Sequence, residues 1–328
     1  MVWVKFIVCI LIIFFFGRKV AKYGDVIADR TGVGGVWVGL ILLAVVTSLP
    51  ELFTGISAVT LVGIPDLTIG NLFGANSFNL LNLALLDIVF RDGSFTRVVS
   101  PSQRLLAWFS LVLVVVAAVS IFISQRFSPL GIGWIGWYSP LIILLYLVFA
   151  RLLFRYERRQ ISNQVAKLGY VGMSLKKTYI YFAISAVFII GAGTWLAMIG
   201  DEIATVYGWG KNFVGALFLA FTTSLPEITV SFTAMRIGAV DMAIANMTGS
   251  NLFNMTIIAV DDLFYLKGPV LASVSENNLI TALLVIIMTL IFVAGLRFRP
   301  KRLFRLNWCN VSLIVLFLVG AYLSFSLA

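Results

Sequence analysis

Apolar stretches of membrane-spanning length recur along the whole chain, separated by short polar and basic segments. A transmembrane helix needs roughly 20 mostly apolar residues, and ten stretches approach or exceed that length. The predicted spans are 2–17, 34–60, 67–90, 104–124, 131–153, 178–199, 211–235, 240–262, 276–296 and 307–326. The pattern therefore predicts an all-α, multi-pass integral membrane protein with ten transmembrane helices.

Two of these stretches contain the same polar pentapeptide. Thr-Ser-Leu-Pro-Glu occupies residues 47–51 and again residues 223–227. A charged side chain at membrane depth costs roughly 2.5–3.5 kcal/mol by insertion scales, so it is rare and usually functional. The duplicated glutamate indicates one cation site that two repeats share.

The similarity between the two halves extends well beyond the pentapeptide. VGLILLAVVTSLPE at 38–51 corresponds to VGALFLAFTTSLPE at 214–227, and GANSFN at 74–79 corresponds to GSNLFN at 249–254. Five predicted spans lie in each half, and because five is odd the second half is expected to be inverted relative to the first. We predict two inverted five-helix repeats, 1–153 and 178–328. A basic cytoplasmic linker, 154–177, joins them, with Glu157 among its solvated charges.

The distribution of basic residues predicts the orientation in the membrane. The net charge is +10, and most of the 24 Lys and Arg residues fall in one alternating set of loops, at 18–30, 91–104, 151–177 and 297–305. By the positive-inside rule these loops are cytoplasmic and both termini are outside, with the cell membrane as the expected location. The basic residues are interpreted as topology signals that contact the lipid bilayer. No nucleic acid and no soluble partner is predicted.

Composition argues against an enzyme. The chain has no His, which excludes histidine-based zinc hydrolysis and Ser–His catalysis, and 61% of its residues are hydrophobic. Cys9 and Cys309 stand alone in apolar segments and are interpreted as small packing residues. We therefore predict no cofactor, and inorganic cations as the partners of the protein.

Helical spacing places oxygen-bearing side chains on the face that carries each glutamate. Positions i, i+3, i+4 and i+7 share one face of an α-helix. Hard cations such as Ca²⁺ take six to eight oxygen ligands, so two facing stripes of this kind supply most of a coordination shell. The two predicted stripes are Ala44, Thr47, Ser48 and Glu51, and Ala220, Thr223, Ser224 and Glu227.

The next helix of each half adds amide side chains. Asn79 and Asn254 are interpreted as neutral oxygen ligands for Na⁺ or Ca²⁺, and Ser250 lies one turn before Asn254 on the same face. An asparagine within the membrane can instead link two helices through a hydrogen bond. Both interpretations stay open for Asn71, Asn76, Asn246 and Asn251.

Other acids lie near predicted helix ends. Asp87 and Asp262 occupy matching positions in the two halves, and Asp261 lies on the outer side with Asp201 and Glu202. We expect ordinary helix-end charges; the alternative is that they attract cations to an outer mouth.

With these motifs, the chain resembles the sodium/calcium exchanger branch of the cation/Ca²⁺ antiporter superfamily, through Thr-Ser-Leu-Pro-Glu and Gly-Ser-Asn-Leu-Phe-Asn. The resemblance implies alternating access at a midplane site on the second, third, seventh and eighth spans. It implies that Glu51 and Glu227 bind Ca²⁺ and compete for Na⁺. It also implies that the shell is completed by Thr47, Ser48, Thr223, Ser224, Asn79, Ser250 and backbone oxygens near Ala44 and Ala220.

Three departures from the family pattern leave the coupling ion open. Ala75 replaces the usual Ser, Asn254 stands where many relatives carry Asp, and Val46 and Thr222 replace the Gly before the pentapeptide. The leading hypothesis is an antiporter that exchanges Ca²⁺ for Na⁺. One alternative is an H⁺-coupled Ca²⁺ or cation antiporter of the same fold. A cation channel is less favoured. Two inverted repeats are typical of transporters, in which one repeat moves against the other around a fixed site, rather than of a continuous pore.

Overall fold

Long helices account for most of the protein. The computed structural model describes residues 2–127, 131–161, 174–207, 220–301 and 305–326. The helices in these residues are α1 (Val2–Thr31), α2 (Gly35–Val62), α3 (Pro65–Val89), α4 (Ser102–Arg126), α5 (Tyr138–Ile161), α6 (Leu175–Val206), α7 (Leu225–Arg236), α8 (Val240–Phe264), α9 (Asn277–Phe298) and α10 (Trp308–Ser326).

Two copies of the pentapeptide adopt different backbones. In α2 the motif is continuous helix with Pro50 inside it, and π-helical turns flank it at Gly39–Leu43 and Ala58–Val62. In the second copy, residues 220–223 are helical, Ser224 interrupts the helix with φ −82° and ψ 0°, and Pro226 lies in the first turn of α7. Proline is tolerated in a first turn, where its missing N–H has no helical partner. The prediction of one helix over 211–235 was therefore wrong at Ser224, and its first nine residues lie outside the described part.

Three boundaries differ from those predicted. α1 continues through the basic residues after 17 as far as Thr31, because a charged segment can end a membrane span without ending the helix. The start of the predicted span 131–153 is instead an antiparallel hairpin, in which Gly131–Ile132 pairs with Ile135–Gly136. α5 extends into the predicted linker, whose residues 162–173 lie outside the described part.

Glu157, predicted to be solvated, is buried. Its carboxylate accepts hydrogen bonds from the backbone N–H groups of Val36 at 2.9 Å and Trp37 at 2.8 Å. The first N–H groups of a helix have no intrahelical acceptor, so a carboxylate satisfies them well. Glu157 thus attaches the end of α5 to the start of α2.

The outer surface of the helices is apolar. Leu11, Phe122, Leu147, Val187 and Leu283 are exposed large hydrophobic side chains on five different helices. Within the described residues, α4 and α9, together with Gly35–Val62, Pro65–Val89, Tyr138–Gln160 and Leu175–Ile203, are long and apolar enough to cross a membrane. An apolar exterior over such helices is that of an all-helical membrane protein.

Equivalent contacts recur in the two halves. Asp66 at the start of α3 accepts a hydrogen bond from Ser275 N at 2.7 Å, and Asp241 at the start of α8 accepts one from Ser100 N at 2.9 Å. Asp241 lies 175 residues after Asp66, and Ser275 lies 175 residues after Ser100. The same offset relates the bond from Phe95 N to Asp87 and that from Val270 N to Asp262. Asp87 and Asp262 therefore accept hydrogen bonds from the loops that follow their helices. This role agrees with their interpretation as helix-end charges.

Candidate functional site

Two glutamates lie in the interior, where segments from the two halves meet. Glu51 on α2 and Glu227 on α7 are each only 1% exposed. The Ser48 hydroxyl of the first pentapeptide donates to Glu227 Oε1 at 3.0 Å. The first pentapeptide therefore contacts the carboxylate of the second.

Helix α8 adds one hydroxyl group beside Glu227. Ser250 Oγ lies 3.5 Å from Glu227 Oε1 and 3.4 Å from Thr47 Oγ1. In the first half the equivalent position is Ala75, which has no hydroxyl. The surroundings of Glu227 are consequently richer in oxygen than those of Glu51.

Four asparagines join α3 to α8 in a reciprocal arrangement. Asn79 Nδ2 donates to Asn251 Oδ1 at 3.0 Å, and Asn254 Nδ2 donates to Asn76 Oδ1 at 2.9 Å. Asn76 and Asn251 also donate to each other's backbone carbonyls at 3.3 and 3.2 Å. Asn76 and Asn251 thus form hydrogen bonds between α3 and α8. Through these bonds they orient the amides of Asn254 and Asn79.

Several oxygen atoms at this junction are buried without a hydrogen-bond partner among the described residues. They are Glu51 Oε2, Glu227 Oε2, Asn79 Oδ1, Asn254 Oδ1 and Ser224 Oγ. Most buried polar atoms in proteins are paired, so a group of unpaired oxygens needs an explanation. Carboxylate, amide and hydroxyl oxygens are the ligands of hard cations, and a bound cation satisfies them together.

A glycine of the neighbouring helix lies near each alanine of the predicted stripes, and at Gly249 the lack of a Cβ allows close helix approach. A Cβ at Gly249 would lie 3.1 Å from Ala44 Cβ, and a Cβ at Gly74 would lie 3.7 Å from Ala220 Cβ. The carbonyls of the two alanines accept hydrogen bonds from Thr47 at 3.3 Å and Thr223 at 3.2 Å. The backbone of each stripe is thereby held near the helix that carries the amides.

All eleven predicted site residues are buried, and the contacts above link most of them. They are Ala44, Thr47, Ser48, Glu51, Asn79, Ala220, Thr223, Ser224, Glu227, Ser250 and Asn254.

One residue of this region, Ser231, escaped prediction. Asn246 Nδ2 donates to Ser231 Oγ at 2.9 Å, so Asn246 bridges α8 and α7. Ser231 lies four residues after Glu227, and that helical spacing was the available signal. The described residues hold no cluster of three or more His, Cys, Asp or Glu side chains. The negative charge of the site therefore comes from the two glutamates, and its other oxygens are neutral.

Comparisons with known proteins find a related sequence and related folds. The inner membrane protein YrbG of Escherichia coli (strain K12) is 25% identical over 257 residues, which cover 77% of this chain and 76% of that protein. The solved sodium-calcium exchanger NCX_Mj, soaked with Na⁺ and Sr²⁺, shares the fold, with a TM-score of 0.74 at 20% identity over 98% of both chains. The H⁺/Ca²⁺ exchanger CAX also shares it, with a TM-score of 0.72 at 15% identity over 99% of this chain and 85% of that one.

The family match covers both halves of the sequence. The family model described as sodium/calcium exchanger protein matches residues 1–155 and 177–328. Because this match takes in nearly the whole chain, the protein belongs to the sodium/calcium exchanger family.

Proposed function

We propose that the protein is a secondary antiporter that exchanges Ca²⁺ for Na⁺ at a site between α2, α3, α7 and α8. The observation that carries this proposal is the group of buried, unpaired oxygens around Glu51 and Glu227. Ca²⁺ and Na⁺ are substrates here, and the chain needs no cofactor or enzymatic step to move them.

The charge of the site explains why exchange follows from binding. Two ionised glutamates balance one Ca²⁺, or two Na⁺, or two H⁺. Occupancy by Ca²⁺ and by the counter-ion is then mutually exclusive. A ligand needs only to change the equilibrium between outward- and inward-facing states for this competition to become antiport.

The proposed alternating access rests on the relation between the two halves. Equivalent hydrogen bonds recur at an offset of 175 residues, and the first pentapeptide contacts the glutamate of the second. We propose ten spans in two inverted repeats, with the site at the midplane between them, as in other transporters built from such repeats. Both termini outside remains part of the proposal.

Within the site, the groups have different roles. Glu51 and Glu227 supply the charge, and Thr47, Ser48, Thr223, Ser224 and Ser250 supply hydroxyl oxygens. Asn79 and Asn254 supply amide oxygens, because their Nδ2 atoms are already committed to Asn251 and Asn76. Ala44 and Ala220 contribute backbone carbonyls.

A second candidate function is H⁺-coupled Ca²⁺ antiport. Ala75 removes a hydroxyl and Asn254 removes a carboxylate relative to the family pattern, so fewer ligands remain for several Na⁺ ions. Two carboxylates still suffice for exchange of one Ca²⁺ against two H⁺.

Uptake of radiolabelled Ca²⁺ into proteoliposomes tests the proposal. Vesicles hold Na⁺ at equal pH on both sides, or a pH gradient without Na⁺, or neither. We expect uptake only with internal Na⁺. Uptake driven by the pH gradient alone favours the second candidate. Uptake with no internal counter-ion indicates a channel and overturns antiport.

A further inference from the structure

Asp261 on α8 is not the solvated helix-end charge that its position suggested. Its side chain is fully buried. Thr68 Oγ1 donates to Asp261 Oδ2 at 2.6 Å, whereas Oδ1 has no hydrogen-bond partner in the described residues. Neither of the ion pairs Lys5–Glu202 and Arg126–Glu276 includes it. An ionised carboxylate in such surroundings is strongly unfavourable unless bound positive charge compensates it.

Three oxygen atoms converge on the backbone of α2 at Gly55. A Cβ at Gly55 would lie 2.5 Å from Asp261 Oδ2, 2.7 Å from Thr68 Oγ1 and 2.9 Å from Asp261 Oδ1. Any side chain at this position would displace these oxygens. Gly55 is also four residues after Glu51, one helical turn along the same helix.

The other half packs the equivalent helices without a carboxylate. Ser231 takes the position equivalent to Gly55 and bonds to Asn246, and Leu86 takes the position equivalent to Asp261. The packing of these helices therefore does not require an acid at this point. Asp261 is a departure from the two-fold pattern of the site.

Asp261 lies about two helical turns from the central site along α8. It lies seven residues beyond Asn254, on the same face of α8 and toward the end that is predicted to be outside. The other charged groups of this region are Glu51 on α2, Asp66 on α3, Asp262 on α8 and Lys267 in the following loop. Asp262 is satisfied by Gly136 N, Tyr138 and Ser139, and Lys267 lies next to Gly63 at the end of α2.

We propose that Asp261 and Thr68, in the space beside Gly55, form a second binding station for one monovalent positive charge, Na⁺ or H⁺, on the outer route to the central site. This inference rests on the proposed function. A single carboxylate balances one charge, which suits a monovalent rather than a divalent ion. Because an empty, ionised Asp261 attracts Ca²⁺ toward Glu51, filling the station weakens Ca²⁺ binding at the central site.

Equilibrium binding of radiolabelled Ca²⁺ to the purified protein tests the station. Apparent Ca²⁺ affinity is measured against Na⁺ at constant pH, and against pH without Na⁺. In the wild type, filling the station should weaken the apparent Ca²⁺ affinity about ten-fold, which is the order of a charge interaction over one to two helical turns. We expect Asp261→Asn to lose this part of the weakening in one of the two series. Loss in the Na⁺ series identifies Na⁺, and loss in the pH series identifies H⁺. Wild-type behaviour of Asp261→Asn in both series overturns the station.

Matched variants separate this effect from general electrostatics and from misfolding. Glu276→Gln removes an exposed carboxylate on the same predicted side, and both of its series should match the wild type. If it reproduces the effect of Asp261→Asn, the station is overturned. Thr68→Val keeps the carboxylate and removes the hydroxyl that donates to it. If Na⁺ fills the station, the midpoint Na⁺ concentration should rise at least about three-fold, a shift of roughly half a pK unit in ion affinity, because a ligand oxygen is lost. If H⁺ fills the station, the midpoint H⁺ concentration should fall, because the ionised carboxylate has lost a hydrogen-bond donor. If Asp261→Asn does not fold, an unchanged midpoint in Thr68→Val overturns the station.

The proposed function fails in a different way, because the wild type then binds no Ca²⁺. In that case the station is tested by thermal unfolding without Ca²⁺, with Na⁺ or pH varied. A bound ion stabilises the folded state, and the stabilisation grows with the occupancy of its site. Asp261→Asn should then lose the stabilisation by Na⁺ or by H⁺. Retention of both overturns the station.

Discussion

Removal of the Asn251 side chain tests how the amides of the site are held. Asn251 Oδ1 accepts from Asn79 at 3.0 Å, and Asn251 Nδ2 donates to the backbone carbonyl of Asn76 at 3.2 Å. Asn251→Ala removes both bonds and leaves Asn79 Nδ2 without its acceptor. Interhelical hydrogen bonds in membranes average about 0.6 kcal/mol and reach about 1.7 kcal/mol. Two of them predict a loss of about 1–3 kcal/mol in the free energy of unfolding.

The same change is expected to weaken Ca²⁺ binding, because it frees the amide of Asn79 to rotate away from the site. Unfolding in denaturing detergent and Ca²⁺ binding are measured for Asn251→Ala, Asn79→Ala and the double variant. Residues in one hydrogen-bond network show non-additive effects, so the double variant should lose less Ca²⁺ affinity than the sum of the two single losses. Asn76→Ala is the matched variant, since it removes the equivalent bond to Asn254. Unchanged Ca²⁺ affinity in Asn251→Ala, or fully additive losses, would refute the orienting role.

Three further predictions concern the site, its packing and its orientation. Asn254→Asp places a third acid beside two glutamates and should make Ca²⁺ transport pH-dependent, near wild type at low pH and altered as the new acid ionises; Asn254→Leu should weaken Ca²⁺ binding. Gly249→Ala should destabilise the protein by about 1–3 kcal/mol in an unfolding assay, because the new Cβ would lie 2.9 Å from Leu40 Cα. A cysteine at Gln160 should react with impermeant reagents only from the cytoplasmic side; labelling of intact cells from outside contradicts the topology.

Local patterns predicted which residues lie together in the interior. The pentapeptide and the helical spacing of Thr47, Ser48 and Glu51 lie within a single helix, so one turn of regular geometry puts them on one face. Duplication then indicated that the second copy meets the first. The fold class followed from the length of the apolar runs, because the thickness of the bilayer and the rise of a helix set how many residues a membrane span needs.

Contacts between distant helices were not predictable from these patterns. Whether Asn76 and Asn251 are ligands or links depends on the register of α3 against α8, which no local spacing determines. The burial of Glu157 and Asp261 likewise depends on which helix end packs against α2. The break at Ser224 shows that the same five residues can continue a helix or interrupt one.

The most direct test of the two-carboxylate site is Ca²⁺ uptake by Glu51→Gln and Glu227→Gln in proteoliposomes with internal Na⁺. Each substitution keeps the size of the side chain and removes half of the charge that balances Ca²⁺. Glu276→Gln serves as the control, because it removes an exposed carboxylate far along the chain from either pentapeptide. We predict that both site variants insert and fold but take up no Ca²⁺, while the control matches the wild type. Uptake near the wild-type rate in either Glu51→Gln or Glu227→Gln would contradict the account.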